Sequence, residues 1–113
     1  MSNIYIFLIY KYSFNGDNML ENIELSLQLK HDFKVMSTKE NKYMKDLILE
    51  EAREILDSNS TIPSIERSEN YTSLIISIPE DLKEDIKDYC ATNEVRIRDF
   101  WVECVNRSMN RYV

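Results

Sequence analysis

Glycine and histidine are nearly missing from this chain: its 113 residues include one of each, Gly16 and His31, beside two prolines, two cysteines and one tryptophan. A single glycine excludes the cradles that hold phosphate through bare backbone, both the dinucleotide fingerprint and the P-loop, since each needs several positions without a Cβ. A single histidine excludes the zincin motif and His-rich metal clusters. So few turn-formers also argue against a turn-dense all-β fold and for a mainly helical one. Cys90 and Cys104 make no Cys-x-x-Cys pair and no small-domain disulfide framework; both lie in amphipathic stretches, as small core residues of a reducing, cytoplasmic compartment would. The apolar run Ile4–Tyr10 has seven residues, far below the ~20 of a membrane span. No basic region precedes it and no small-residue cleavage site follows, so neither membrane insertion nor a signal peptide is expected.

What remains is enough for one packed interior. Hydrophobic residues make up 43%, with seven Tyr and four Phe, at a mass that suits one domain or two small motifs sharing a core. Fourteen basic side chains face twenty acidic ones, a net charge of −6. Any polyanionic partner must therefore be met by a local basic patch, and binding is expected to be weak outside it and sensitive to salt.

The chain divides at a polar stretch, residues 59–70, that reads as a linker. Around it lie an N-terminal extension (1–19), a first unit (20–58) and a second unit (71–113). Sliding the sequence by 53 positions aligns the units without a gap. Leu29/Leu82, Lys30/Lys83, Asp32/Asp85, Lys34/Lys87, Asp46/Asp99 and Glu50/Glu103 are identical, and Ile23/Ile76, Leu25/Ile78, Phe33/Ile86, Leu47/Phe100 and Ile48/Trp101 share apolar character. A common apolar rhythm over some forty positions indicates an internal repeat.

Within each unit the period changes from two to 3.6. Leu74, Ile76 and Ile78 alternate with Ser73, Ile75 and Ser77, a half-buried strand. Pro79 suits the first turn of a helix over 79–92, with Glu80 and Asp81 at its positive end. After a break at 93–95, Ile97, Phe100, Trp101, Cys104, Val105 and Met109 line a second helix. The first unit follows: a strand stub at Ile23 and Leu25, Ser26 as N-cap, a helix lined by Leu29, Phe33 and Met36, a break at Asn41–Lys42, and a helix from Met44 to Leu56. Trp101 and Phe100 read as core, His31 as an exposed helix residue, and Glu50, Glu51 and Glu54 as a solvated helix face with nothing to fix them for acid–base work. The segment Ile4–Tyr10 is open to three readings: an extra strand, an oligomer contact, or upstream sequence, Met19 being a sensible alternative start.

Two strand–helix–helix units carrying SLIISIPEDLKEDIKDYC with RIRDFWVECV, and LKHDFKVMSTKENKYMKDLILEEAREIL, resemble the ribbon-helix-helix family, to which the Arc and MetJ repressors belong. The resemblance covers residues 20–58 and 72–112. It implies a mainly α fold with a short two-stranded antiparallel ribbon that enters the DNA major groove. A lone unit has no partner for its strand and too small a core, so two must combine. The linker is long enough to let the two units of one chain form a pseudo-dimer; pairing with a second chain is the rival arrangement.

The same resemblance assigns roles. Outward ribbon positions read bases: Asn22 and Glu24 in the first unit, Ser73, Ile75 and Ser77 in the second, a face without Lys or Arg. Amino ends of the second helices meet phosphate: Lys42, Tyr43 and Lys45, and Arg96 and Arg98. The expected function is sequence-specific binding of double-stranded DNA as a transcriptional repressor or regulator, without catalysis or cofactor, as pseudo-dimers that can associate further. Plasmid partition and relaxosome accessory roles fit the same fold. The alternative is a protein-interaction module, a degenerate or antitoxin-like ribbon-helix-helix, although a toxin-wrapping tail is not expected in a chain that stops at Val113.

Overall fold

Apolar alternation in both halves of the chain produces strands, and the two strands pair with each other. The computed structural model describes residues 18–67 and 69–112, which are mainly helical with one two-stranded antiparallel sheet. Strand β1 (Asn18–Ser26) leads into helices α1 (Leu27–Lys39) and α2 (Met44–Ser58); strand β2 (Tyr71–Pro79) leads into α3 (Glu80–Asn93) and α4 (Ile97–Tyr112). The register runs from Asn18 opposite Pro79 to Ser26 opposite Tyr71. Each element of the second half begins 53 residues after its counterpart in the first, and Asn22 faces Ile75, also 53 positions away, at the middle of the ribbon.

Local chemistry explains the boundaries. The Ser26 hydroxyl accepts the Leu29 N–H at 3.0 Å, the N-cap the sequence suggests. Pro79 is not in the first turn of α3, as expected from sequence, but is its N-cap and the last strand residue, with extended ψ of 142°. Its fixed φ serves either position, and Glu80 and Asp81 still occupy the first turn. Helices α1 and α3 end alike. Asn41 and Glu94 adopt left-handed φ of 56° and 55°, while the Lys42 N–H donates to Ser37 O and the Val95 N–H to Cys90 O, each at 2.9 Å.

The core lies between the ribbon's inner face and the helices. Ile23, Leu25, Leu74, Ile76 and Ile78 point inward and are buried, against Phe33, Ile48, Ile86, Phe100 and Trp101. The most extensive helix contact joins α2 to α4, and α1 and α3 each touch both, so the two halves interleave. Phe100 meets Trp101 edge to face at 5.5 Å and Tyr89 at 5.7 Å. β1 also turns an acid inward. The Trp101 indole N–H donates to Glu21 at 3.1 Å, and Lys83 pairs with the other carboxylate oxygen at 3.1 Å.

Two sequence expectations are corrected. Glu51 is not on a solvated face: it is 2% exposed and held bidentately by Arg111 at 2.7 and 3.2 Å, while Glu54 takes a further bond from the same guanidinium. A carboxylate enters a core only with such compensation. Residues 59–67, expected as a bare linker, form a docked strap. Ile62 is buried and Ile65 packs on the core; Arg107 binds Thr61 O, the Tyr89 hydroxyl donates to Ser60 O, and the Leu27 N–H donates to Asn70 O. The segment Ile4–Tyr10, with its three readings, lies outside the described residues.

Candidate nucleic-acid interface

Among the described residues, the ribbon has one covered face and one bare face. Because side chains alternate, the inward set Ile23, Leu25, Leu74, Ile76 and Ile78 leaves Leu20, Asn22, Glu24, Tyr71, Ser73, Ile75 and Ser77 on the other side. All five positions assigned to base reading thus share the outer face: Asn22 stands opposite Ile75, Glu24 opposite Ser73, and Ser77 opposite Leu20. Sequence reasoning misses Leu20 and Tyr71, because it starts β1 near Ile23 and β2 at Ser73. Glu21 interrupts the inward apolar alternation, and only Trp101 and Lys83 make that position tolerable. Leu20 and Ile75 are 75% and 62% exposed, so this face carries two large apolar side chains among its polar ones.

The end of this face near Tyr71 carries a cation that the strand pattern does not contain. Arg67, from the strap, donates to Glu24 at 2.7 Å and lies over the Tyr71 ring, 3.9 Å from its centroid. Lys30 of α1 reaches the Ser73 carbonyl at 2.7 Å. Beside it an open groove of about 720 Å³ is lined by Lys30, His31, Lys34 and Thr72.

The helix amino ends differ between halves. At α2, Tyr43 is the N-cap with no side-chain cap bond, and its ring is 79% exposed. Lys42 donates to the Tyr112 hydroxyl at 3.0 Å and sits 4.8 Å from that ring's centroid. This hydrogen bond, with the neighbouring phenol's charge, raises the Lys42 ammonium above its ordinary value. Lys45 is exposed and makes no ion pair among the described residues. At α4, both arginines are engaged. Arg96 and Arg98 bind the buried carboxylate of Asp99 at 2.9 and 3.0 Å, and both donate to the Ile65 carbonyl of the strap. Asp99 is the counterpart of exposed Asp46, so the same residue type is solvated in one half and buried between arginines in the other.

Little else is arranged for chemistry. Among the described residues no group of three or more His, Cys, Asp or Glu is placed to hold a metal ion, and no helix is long and apolar enough to cross a membrane. Cys90 and Cys104 are buried free thiols. Burial, then the charge of Asp99, pushes Cys90 up to about 11, and burial drives Cys104 well above the ordinary thiol value. Neither supplies thiolate at neutral pH. Comparison with protein-family models, curated proteins and solved structures returns no match.

Proposed function

We propose that this chain is a DNA-binding regulator: a tandem ribbon-helix-helix pseudo-dimer that lays its ribbon in the major groove and its α2 and α4 amino ends on the flanking phosphates. One observation carries the reading. Among the described residues, a nine-residue antiparallel ribbon, β1 on β2, presents a bare face of Asn22, Ser73 and Ser77 around exposed Ile75, with the four helices behind it. A two-stranded ribbon fits the major groove, where Asn and Ser can hydrogen-bond base edges and Ile75 can meet a thymine methyl. The shared offset of 53 residues in every element, and the Asn22–Ile75 pair at the ribbon's centre, support a local two-fold relation between the units. Lys42, Tyr43 and Lys45 supply the more open phosphate contact; Arg96 and Arg98 reach phosphate only by sharing their donors with Ile65 O and Asp99. The function is binding, not catalysis, in a reducing cytoplasmic setting that suits two buried thiols.

Selection of bound duplexes from a random library, followed by gel shifts over a salt series, tests this. A defined site is expected, with the salt dependence reduced by about one ion for each of Lys42→Ala and Lys45→Ala. Absence of any salt-sensitive shift would overturn the reading. A second reading rests on the exposed apolar residues of the same face: Leu20 and Ile75, at diagonal positions of the ribbon, suit a protein partner. It is favoured instead if Ile75→Ser abolishes binding to a protein while no DNA is selected.

A further inference from the structure

The strap places on the ribbon's outer face a guanidinium that neither strand encodes. We propose that Arg67 reads a guanine at one flank of the DNA site, held in readiness by Glu24 and Tyr71; this rests on the DNA-binding function proposed above. Glu24 and Tyr71 are on the outer face, Glu24 opposite Ser73 and Tyr71 opposite Ser26, so the group that bridges them is there too. The Arg67 Nη2 donates to Glu24 Oε1 at 2.7 Å, and the guanidinium plane is covered on one side by the Tyr71 ring at 3.9 Å. Its Nε and Nη1 meet no acceptor among the described residues, and the side chain is 51% exposed. Nη2 keeps a second hydrogen, so one of its two paired edges, with Nε or with Nη1, stays open, and such an edge is matched to the O6 and N7 acceptors of guanine, which take two parallel N–H bonds. Stacking and the carboxylate also restrict the side chain before DNA arrives, so less freedom is lost on binding.

The pairing also accounts for Glu24. A carboxylate on a face meant for a polyanion is unfavourable alone, but here it is neutralised by Arg67 and aims it. Each chain has one strap, so the guanine preference falls on one side of the site only. The target is therefore non-palindromic, although the ribbon is built from two matching strands.

Library selection with the full chain and three variants tests this. The unaltered chain is expected to select a guanine at one flank and not at its mirror position. Arg67→Ala should lose that preference, by about 5- to 150-fold against the other bases, and retain the rest of the site. Arg67→Lys keeps the charge and should not restore the preference, because an ammonium cannot make the paired bonds. The double variant Arg67→Ala/Glu24→Gln removes both charges and should bind a site without flank preference, separating base reading from simple repulsion by Glu24. Selection of an unchanged site by Arg67→Ala overturns the inference and leaves the function standing. An equal loss of affinity on every sequence does so too, marking a phosphate contact. If the unaltered chain selects no DNA, the function and the inference fall together.

Discussion

The hydrogen bond from Trp101 to Glu21 joins the second helix of one half to the strand of the other, and it lends itself to a double-mutant cycle. Trp101 is essentially buried and its indole N–H donates to Glu21 at 3.1 Å, a charged acceptor also held by Lys83. Hydrogen bonds to charged groups contribute about 1.5–3 kcal/mol. Trp101→Phe loses this bond, and the gap left by the smaller ring adds roughly 1–2 kcal/mol. The sum, about 2.5–5 kcal/mol, is a large part of the ~5–15 kcal/mol that holds a domain together. Glu21→Leu leaves the indole N–H buried without an acceptor, a penalty of about 1–3 kcal/mol. The double variant has neither donor nor acceptor to strand, so its cost should fall short of the sum by about 1–2 kcal/mol. Urea unfolding followed by circular dichroism suits the measurement, because Trp101 is the sole tryptophan and fluorescence vanishes with it. Additivity within about 0.5 kcal/mol would refute the contact. Repeating the titrations over a wide range of protein concentration separates the two possible pairings. A midpoint independent of concentration supports pairing within one chain, whereas a rising midpoint means that the strands pair between chains.

Three further outcomes are expected. Ser108 is fully buried and its hydroxyl has no partner among the described residues, so Ser108→Ala should stabilise by about 1 kcal/mol, read as a higher melting temperature. Glu94 holds left-handed φ at the end of α3, so Glu94→Gly should relieve strain and gain about 0.5–1 kcal/mol; a loss would show that its side chain matters more than its backbone. Cys90 has a thiol raised from 9.0 to about 11, chiefly by burial. Above pH 9 the unfolded thiol releases its proton while the native one keeps it, so stability should be intact below pH 9 and decline as pH rises through 11. The thermal midpoint of Cys90→Ala should fall less steeply over that window than that of the unaltered chain, and equal slopes would discount the burial.

Much of the fold is legible in the sequence because its signals are local. Ser26 as a cap, the inward alternation of Leu74, Ile76 and Ile78, and the apolar lining of both second helices depend on spacing alone. The misses depend on partners far away in sequence. Glu51 looks solvated until Arg111, sixty positions on, is brought to it. Glu21 hides the start of β1 because its partners are on α3 and α4. The strap reads as polar because its two apolar anchors, Ile62 and Ile65, are too few to show a period, and its other anchors are backbone carbonyls, which leave no trace in side-chain composition: Arg96, Arg98 and Arg107 bind those of Thr61 and Ile65. The resemblance assigns Arg96 and Arg98 to phosphate, and it passes over both the neighbouring Asp99 that binds them and Arg67.

Joining the two units in one chain, on the reading proposed here, has a physical consequence at the place where α2 crosses α4. Glu51 and Cys104 are 53 positions apart and near enough that the Glu51 charge, after burial itself, helps to push the Cys104 thiol up. In a homodimer that position would be the same residue twice. Two glutamates would set carboxylates against each other in the core, at a cost that like charges in a poorly solvated site make severe. With one acid and one thiol there is a single charge to neutralise, and Arg111 does so. The asymmetry extends to the ribbon, where Leu20, Asn22 and Glu24 on β1 correspond to Ser73, Ile75 and Ser77 on β2 without a single identity. A fused pair can thus keep two-fold backbone geometry, which core packing enforces, while its two strands diverge in what they touch, which only the partner constrains.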